Sequence, residues 1–190
     1  GGGILDAIVS LYTTTTGRIS RKQWWLGVLG LFLASIVLSL VMSVIGFGAW
    51  AGVPAIDPNN PDMAALSAEV ADSIRRSAWA SLVMYAIMAY PSYCLSVKRR
   101  HDRDNAGVDV LVFMAVNGVV LLLQALGVGV TMVDMGNGLT MPTPSMWLGT
   151  VSLLIAIGGI YLLVVLGFLR GTDGANSYGA DPVTGAAATA

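Results

Sequence analysis

The chain has 190 residues, of which 55% are hydrophobic and 11% charged, with a formal net charge of −1 and a mean hydropathy of +0.74. A soluble domain carries about 25% charged residues to cover its water-facing surface, so this composition excludes a soluble enzyme, a disordered tail and a secreted disulfide scaffold. Near-neutral charge gives no reason to expect nucleic acid, and the chain reads as an integral protein of the lipid bilayer.

Gly1, Gly2 and Gly3 stand at the start without a Met and are set aside from fold reasoning. Residues 1–23 read as a cytoplasmic N-terminal segment. The first apolar run, about 24–50, exceeds the ~20 residues a helix needs to cross the hydrocarbon core. Trp24 and Trp25 at one end and Trp50 at the other fit aromatic belts at the two interfaces. Within this run Ser35, Ser39 and Ser43 form a ridge of small side chains suited to close helix packing.

Residues 51–61 read as a loop, with Pro54, Pro58, Asn59, Asn60 and Pro61. Asp62 is placed to cap a helix through Arg76. Met63, Leu66, Val70 and Ile74 recur there at helical spacing opposite Glu69, Asp72 and Arg76, an amphipathic segment in the first outer loop. A second span follows at about 78–97, with Pro91 expected to kink or end regular helix. Its Cys94 is the only thiol of the chain, so no internal disulfide exists.

The third span is expected over about 108–133. Its only mid-depth polar side chains, Asn117 and Gln124, lie seven residues apart and so on one face. Hydrogen bonding to neighbouring helices is the plainer account of that pair, and a polar path the sharper one. A turn centred on Gly136, Asn137 and Gly138 follows. Met132, Met135, Met141 and Met146 near it suggest packing at a membrane boundary, with a soft-metal thioether site as the rival reading. The fourth span covers about 145–169, where Gly158 and Gly159 permit close approach, and a Gly-rich tail occupies 170–190.

Charge then orients the spans. Arg18, Arg21, Lys22, Lys98, Arg99, Arg100, Arg103 and Arg170 share one side if four spans alternate, against Arg75 and Arg76 on the other. Lys and Arg are retained in the cytoplasm, which places both termini there. The expectation is an all-α, polytopic protein of a bacterial inner membrane, with a single four-helix transmembrane domain over 24–169.

Three polar clusters then fall on the cytoplasmic side: GRISRKQWW from Gly17, VKRRHDRDNAG from Val97 and RGTDGANSYGADP from Arg170. Together they resemble the small bacterial inner-membrane proteins catalogued as domain of unknown function 805. That family shows a GRxSRxxFW-like approach to the first span, an RRxHDxxxSGW-like loop and a GxxGxNxYGxDP-like tail. Gly17, Arg18, Ser20, Arg21 and Trp24 or Trp25 match the first, and Arg99 (or Lys98), His101, Asp102 and Gly107 the second. Gly171, Gly174, Asn176, Tyr178, Gly179, Asp181 and Pro182 match the third. Ala106 and Val108 depart from the family's Ser and Trp, leaving Asp104 or Asn105 to cap the third span. The resemblance implies a membrane topology and no reaction.

The clusters lie at one membrane face and can meet. One reading has Arg18, Arg21, Arg99, Arg100, Asp102 and Asp181 lock loop to tail as a charged cap. A second makes His101 a proton carrier, since imidazole titrates near neutrality. A third has the basic residues contact anionic headgroups, with Asn176 and Tyr178 contributing at the same surface. The tail lacks the Gly-Lys-Ser/Thr of a nucleotide loop, one His and one Cys cannot make a zinc set, and no cofactor is expected. The leading expectation is a non-catalytic accessory or scaffold subunit, packing against partner membrane proteins, another copy of itself, or lipid. The alternative is a small-solute or lipid transporter using the Asn117 and Gln124 face. An enzymatic reading rests on His101 and Asp102 acting on a headgroup.

Overall fold

A computed structural model describes residues 3–47 and 62–185. The proline-rich loop 51–61, Trp50 and the last residues of the tail lie outside the described residues. The element order is α1 (Ile4–Thr13), α2 (Arg21–Val44), α3 (Met63–His101), α4 (Val108–Ala125), β1 (Val130–Gly136), β2 (Leu139–Pro144) and α5 (Met146–Leu163). A π-helical turn, Val164–Phe168, extends α5. Four stretches are long and apolar enough to cross a membrane: Arg21–Val44, Met63–His101, Val108–Ala125 and Met146–Phe168. The protein is therefore a multi-pass membrane protein, mostly helical as expected, with one β-hairpin that the all-α expectation lacked.

The chain divides into two compact units. The first comprises Gly1–Ser35, Ala86–Val116 and Ile155–Ala190; the second comprises Ile36–Tyr85 and Asn117–Leu154. All eight basic residues expected on one side belong to the first unit, and Arg75 and Arg76 to the second.

Helix ends follow one chemistry. Three helices stop at a left-handed residue flanked by paired backbone bonds that satisfy the last carbonyls. In α2 the residue is Gly46 (φ +86°), with Phe47 N–H on Met42 O and Gly46 N–H on Ser43 O. In α4 it is Gly127 (φ +74°), with Val128 N–H on Leu123 O and Gly127 N–H on Gln124 O. In α3 it is Asp104 (φ 53°), with Asn105 N–H on Arg100 O and Asp104 N–H on His101 O. The third span thus ends at Ala125 rather than near 133, because Gly127 and Gly129 both adopt positive φ and redirect the chain. Likewise α2, the first span, stops at Val44 rather than near 50.

Pro91 does not end its helix. α3 runs without a break through 39 residues, and the amphipathic Met63–Arg76 stretch forms its first turns rather than a separate element. Asp62 caps it as expected, its Oδ1 accepting from Ala64 N–H at 3.1 Å and Ala65 N–H at 3.0 Å. Asp72 and Arg76 pair at 3.0 Å. At 1.5 Å per residue α3 is about 58 Å long, about twice the hydrocarbon thickness. Only about half of it can therefore lie in the lipid core, and its charged last turn, Lys98–His101, is the costliest part to place there.

In the second unit, Asn137 (φ 53°) and Gly138 (φ 80°) make the two-residue turn of the hairpin, the turn expected at that place. The flanking residues pair as strands, Val130 with Pro144 through Gly136 with Leu139, with an irregularity between Asp134 and Gly136. Thr140 N–H of β2 donates to the buried Ser67 hydroxyl of α3 at 2.9 Å. Pro142 and Pro144 deprive β2 of further donors, which discourages edge pairing.

The first unit is held by Ile19, Trp24, Leu95, Val110, Leu162 and Leu166, with Leu11, Val28, Leu31 and Phe113 packed around them. Trp24 is thus a core residue and not an interfacial one. Trp25, half-exposed, donates its indole N–H to Gly167 O at 3.1 Å. Gly167 must be bare of a side chain, since a Cβ there would meet the Trp25 ring at 2.8 Å. Gly158 and Gly159 accommodate the Phe113 ring. Ser67→Ala strands the Thr140 N–H, and amide exchange at Thr140 is expected to speed about fivefold, in keeping with the loss of about 1 kcal/mol of net hydrogen bonding.

Candidate functional site

The polar site of the first unit is built around Asp102, which follows the last residue of α3. Its side chain is 6% exposed. Oδ1 accepts from Arg18 Nη2 at 3.0 Å and Arg18 Nε at 3.2 Å. Oδ2 is paired with Arg99 Nη1, one turn back on α3. Both guanidiniums are fully enclosed, with side-chain exposures of 1% for Arg18 and 0% for Arg99. One buried carboxylate therefore faces two buried cations.

Backbone oxygens supply the balance. Arg18 Nη1 donates to Gly174 O at 2.7 Å and Gly179 O at 3.1 Å, and Nη2 to Thr172 O at 2.9 Å. Arg99 Nε donates to Leu166 O at 2.8 Å, and Nη2 to Leu169 O. The tail closes over this centre through Thr172, whose N–H and hydroxyl donate to Asp102 O at 2.8 and 3.0 Å. Gly171 passes so close that a Cβ would collide with the Asp102 carboxylate. Beside it a hollow of about 220 Å³ is lined by Ser20, Arg21, Asp102, Gly171, Thr172 and Asp181.

Asn176 orders the tail turn. Its Nδ2 donates to His101 O at 2.8 Å and Thr172 Oγ1 at 2.9 Å, while its Oδ1 accepts from Tyr178 N–H at 2.9 Å. That turn lays the Tyr178 ring flat on the His101 imidazole, with centroids 3.9 Å apart and planes 7° from parallel. His101 Nδ1 faces Gly17 O at 3.1 Å. A carbonyl only accepts, so Nδ1 carries a proton. Burial pushes the imidazole below its usual pKa of 6.5, against the Gly17 carbonyl, which favours the protonated ring. Among the described residues no carboxylate pairs with this ring, and its neighbour Asp102 points to the arginines instead.

The expected six-residue charged cap is smaller than its outline. Arg100 turns away to Asp109 of α4, with Nε–Oδ1 at 3.1 Å and Nη2–Oδ2 at 3.0 Å, and Tyr161 of α5 donates to the same carboxylate at 3.1 Å. Arg21 donates to Phe168 O at 3.2 Å rather than to a carboxylate. Asp181 accepts N–H bonds from Val183 at 2.8 Å and Gly174 at 3.1 Å. Those donors hold its pKa below the usual carboxylate range, outweighing partial burial. Adjacent residues on one helix cannot all face one centre, which is why Arg99 and Arg100 serve different neighbours.

Neither Asp104 nor Asn105 caps α4. Asp104 Oδ1 accepts from Ser177 N–H at 3.1 Å, and Asn105 Oδ1 from Gly107 N–H at 2.9 Å in a local turn. A cap pattern missed in the sequence is that of α2, Ser20 with Gln23. Ser20 Oγ accepts from Gln23 N–H at 3.3 Å and Gln23 Oε1 from Ser20 N–H at 2.8 Å, the reciprocal box that a Ser-x-x-Gln spacing signals.

The intramembrane candidates separate. Asn117 hydrogen-bonds Tyr85, the helix-to-helix contact that was the plainer account. The half-buried Gln124 amide has no hydrogen-bond partner among the described residues. Ser35 lines a cavity of about 340 Å³ with Val28, Phe32, Met88, Ser92 and Leu95. Ser39 and Ser43 are exposed, and Ser43 Oγ bonds back to Ser39 O at 3.0 Å. Among the described residues no three His, Cys, Asp or Glu side chains gather as a metal site requires.

The family described as a protein of unknown function, DUF805, matches residues 12–180. The chain belongs to this family. The match spans Arg18, Asp102 and the tail to within one residue of Asp181, so the whole cap apart from Asp181 lies inside the family's bounds. No curated protein and no solved structure matches the chain.

Two outcomes follow for this family member. Asp102→Asn leaves two enclosed guanidiniums without a counter-charge and should cost about 3–5 kcal/mol of stability, read by denaturant unfolding in detergent. The fold also favours a neutral His101, so unfolding takes up a proton at low pH. Stability is whole above pH 6.5 and falls as pH drops through the lower folded pKa. The melting temperature should decline as pH is lowered below about 6.5, and His101→Phe, which keeps the ring stack, should flatten that decline.

Proposed function

We propose that the protein is a non-catalytic subunit of a bacterial inner membrane, with both termini cytoplasmic. It serves as an accessory or scaffold element that packs against partner membrane proteins, another copy, or lipid. What supports this reading is how the polar cluster uses its groups. Asp102, Arg18, Arg99, Asn176 and Thr172 all bond to one another or to backbone, closing the ends of the helices. A catalytic site keeps a nucleophile or base directed at open space; here the acid is gripped and the imidazole is stacked and tied to a carbonyl. The sorting of eight basic residues against two supports the orientation.

Exposed Ser39 and Ser43 on α2 give the contact face of this reading, since small side chains let a second helix approach. Extracted in native nanodiscs, the protein should have a mass above that of one chain, and Ser39→Leu with Ser43→Leu should reduce it to a monomer. A lone monomer from the unaltered protein, without partner or tightly held lipid, would sink the proposal. The transporter reading draws on the Gln124 amide, without a hydrogen-bond partner among the described residues, and it requires that Asn117→Leu with Gln124→Leu abolish solute flux in proteoliposomes.

A further inference from the structure

The sequence places residues 1–23 ahead of the first span as a cytoplasmic segment, yet α1 is fastened to the spanning helices well inside the arginine layer. Tyr12 of α1 donates its hydroxyl to Gly27 O of α2 at 3.0 Å. Tyr90 of α3 donates to Thr13 O at 2.9 Å, and Lys98 Nζ to Ser10 O at 2.6 Å and Leu11 O at 2.8 Å. Gly27 lies six residues past Arg21, about 9 Å along α2, and Tyr90 eight residues before Lys98, about 12 Å along α3. Helical side chains lean toward the N-terminus, which in α3 is away from the arginines. Lys98 and Tyr90 therefore reach α1 at a level deeper than their own backbone.

The rest of α1 matches that depth. Ile4, Leu5, Ile8 and Val9 are exposed, at 82%, 76%, 49% and 58%. They share one arc of the helix, and Asp6, Ser10 and Thr13 share the opposite one. Ser10 and Thr13 hydroxyls bond back to Ala7 O and Val9 O, at 2.9 and 2.8 Å, and Asp6 caps Gly3 N–H at 2.9 Å. α2, to which Tyr12 fastens α1, likewise exposes Leu26, Leu29 and Leu33, and it is long and apolar enough to cross the membrane.

We infer that α1 is a membrane-embedded interfacial helix, its Ile4, Leu5, Ile8 and Val9 face inserted among the acyl chains of the leaflet at the arginine end. The occupant of this face is lipid. Asp6 then lies at headgroup level, and the short link Thr14–Gly17 returns the chain to the cap, where Gly17 O meets His101. This placement rests on the membrane topology alone and stands whether or not the scaffold reading holds.

Nitroxide labels at Leu5→Cys, Ile8→Cys and Asp6→Cys, each in the full chain with the buried Cys94 retained, test it in phosphatidylethanolamine–phosphatidylglycerol vesicles. Power-saturation resonance should show the Leu5 and Ile8 labels accessible to oxygen and shielded from a water-soluble nickel complex, and the Asp6 label more open to nickel. An unchanged melting temperature verifies the fold of each variant. Strong nickel accessibility at Leu5 and Ile8 would place the face in water and overturn the proposal. So would spin–spin broadening with both relaxants excluded, which would make the occupant a second copy. Should the labelled chains melt early, nitroxide labels at Ile4→Cys and Val9→Cys, read against Ser10→Cys, decide by the same ordering.

Discussion

A single carboxylate holding two enclosed guanidiniums is the constraint on which the first unit depends. Asp102 joins three stretches distant in sequence: Arg18 ahead of α2, Arg99 on α3, and the tail at Gly171 and Thr172. Removing two arginines from water costs several kcal/mol per ion, and one carboxylate cannot repay both. The remainder comes from carbonyl oxygens, three contacted by Arg18 and two by Arg99. The three carbonyls that Arg18 contacts, of Thr172, Gly174 and Gly179, reach it only when the tail is folded over the helix ends. Arg18 and the tail thus require each other, and a Gly-rich segment with little to bury acquires a defined conformation.

The same economy governs the end of the fourth span. A helix leaves its last carbonyls without partners, and near lipid they cannot rely on water. The π-helical turn Val164–Phe168 presents them outward, and each finds a side chain. Leu166 O and Leu169 O take Arg99, Gly167 O takes the Trp25 indole, and Phe168 O takes Arg21. Cations at a helix C-terminus also meet the negative end of its dipole. At the end of α1, Lys98 and Tyr90 do the same for Ser10, Leu11 and Thr13. Side chains from α2 and α3 therefore close the ends of α1 and α5.

Which features were legible in the sequence depends on their range. Spans, the Asp62 cap and the Asn137–Gly138 turn are local patterns, and they appear where spacing put them. Span limits were misread where apolarity continued past the helix. Val128, Val130 and Val133 suit lipid as well as strand, and only the positive φ of Gly127 and Gly129 divides α4 from β1. The cap was legible as a meeting of three motifs and illegible as a set of pairs. Whether Asp102 or Asp109 takes Arg100 depends on which way a helix is rotated, which single-sequence spacing does not carry. α1 escaped notice because ten residues fall short of a span, and its apolar arc is meaningful only beside the helices that anchor it.

The positive charge of this family member therefore divides into two kinds. Arg18, Lys98, Arg99 and Arg100 lie at fixed hydrogen-bond distances from oxygens of their own chain; the last three are buried and the Arg18 side chain is enclosed. Lys22 and Arg170 are exposed, and Arg170 meets only its close neighbour Asp173, at an accessible 3.0 Å pair of little energetic weight. Charge counting treats both kinds alike when it sorts loops to one side of a membrane. Structurally they differ: the exposed ones remain available to an anionic leaflet, whereas the buried ones are committed to shape. A search for chemistry among the Arg, His and Asp residues of these motifs thus meets groups already engaged in holding helix ends together, and any partner of the protein is more readily met along its exposed apolar and small-residue helix faces.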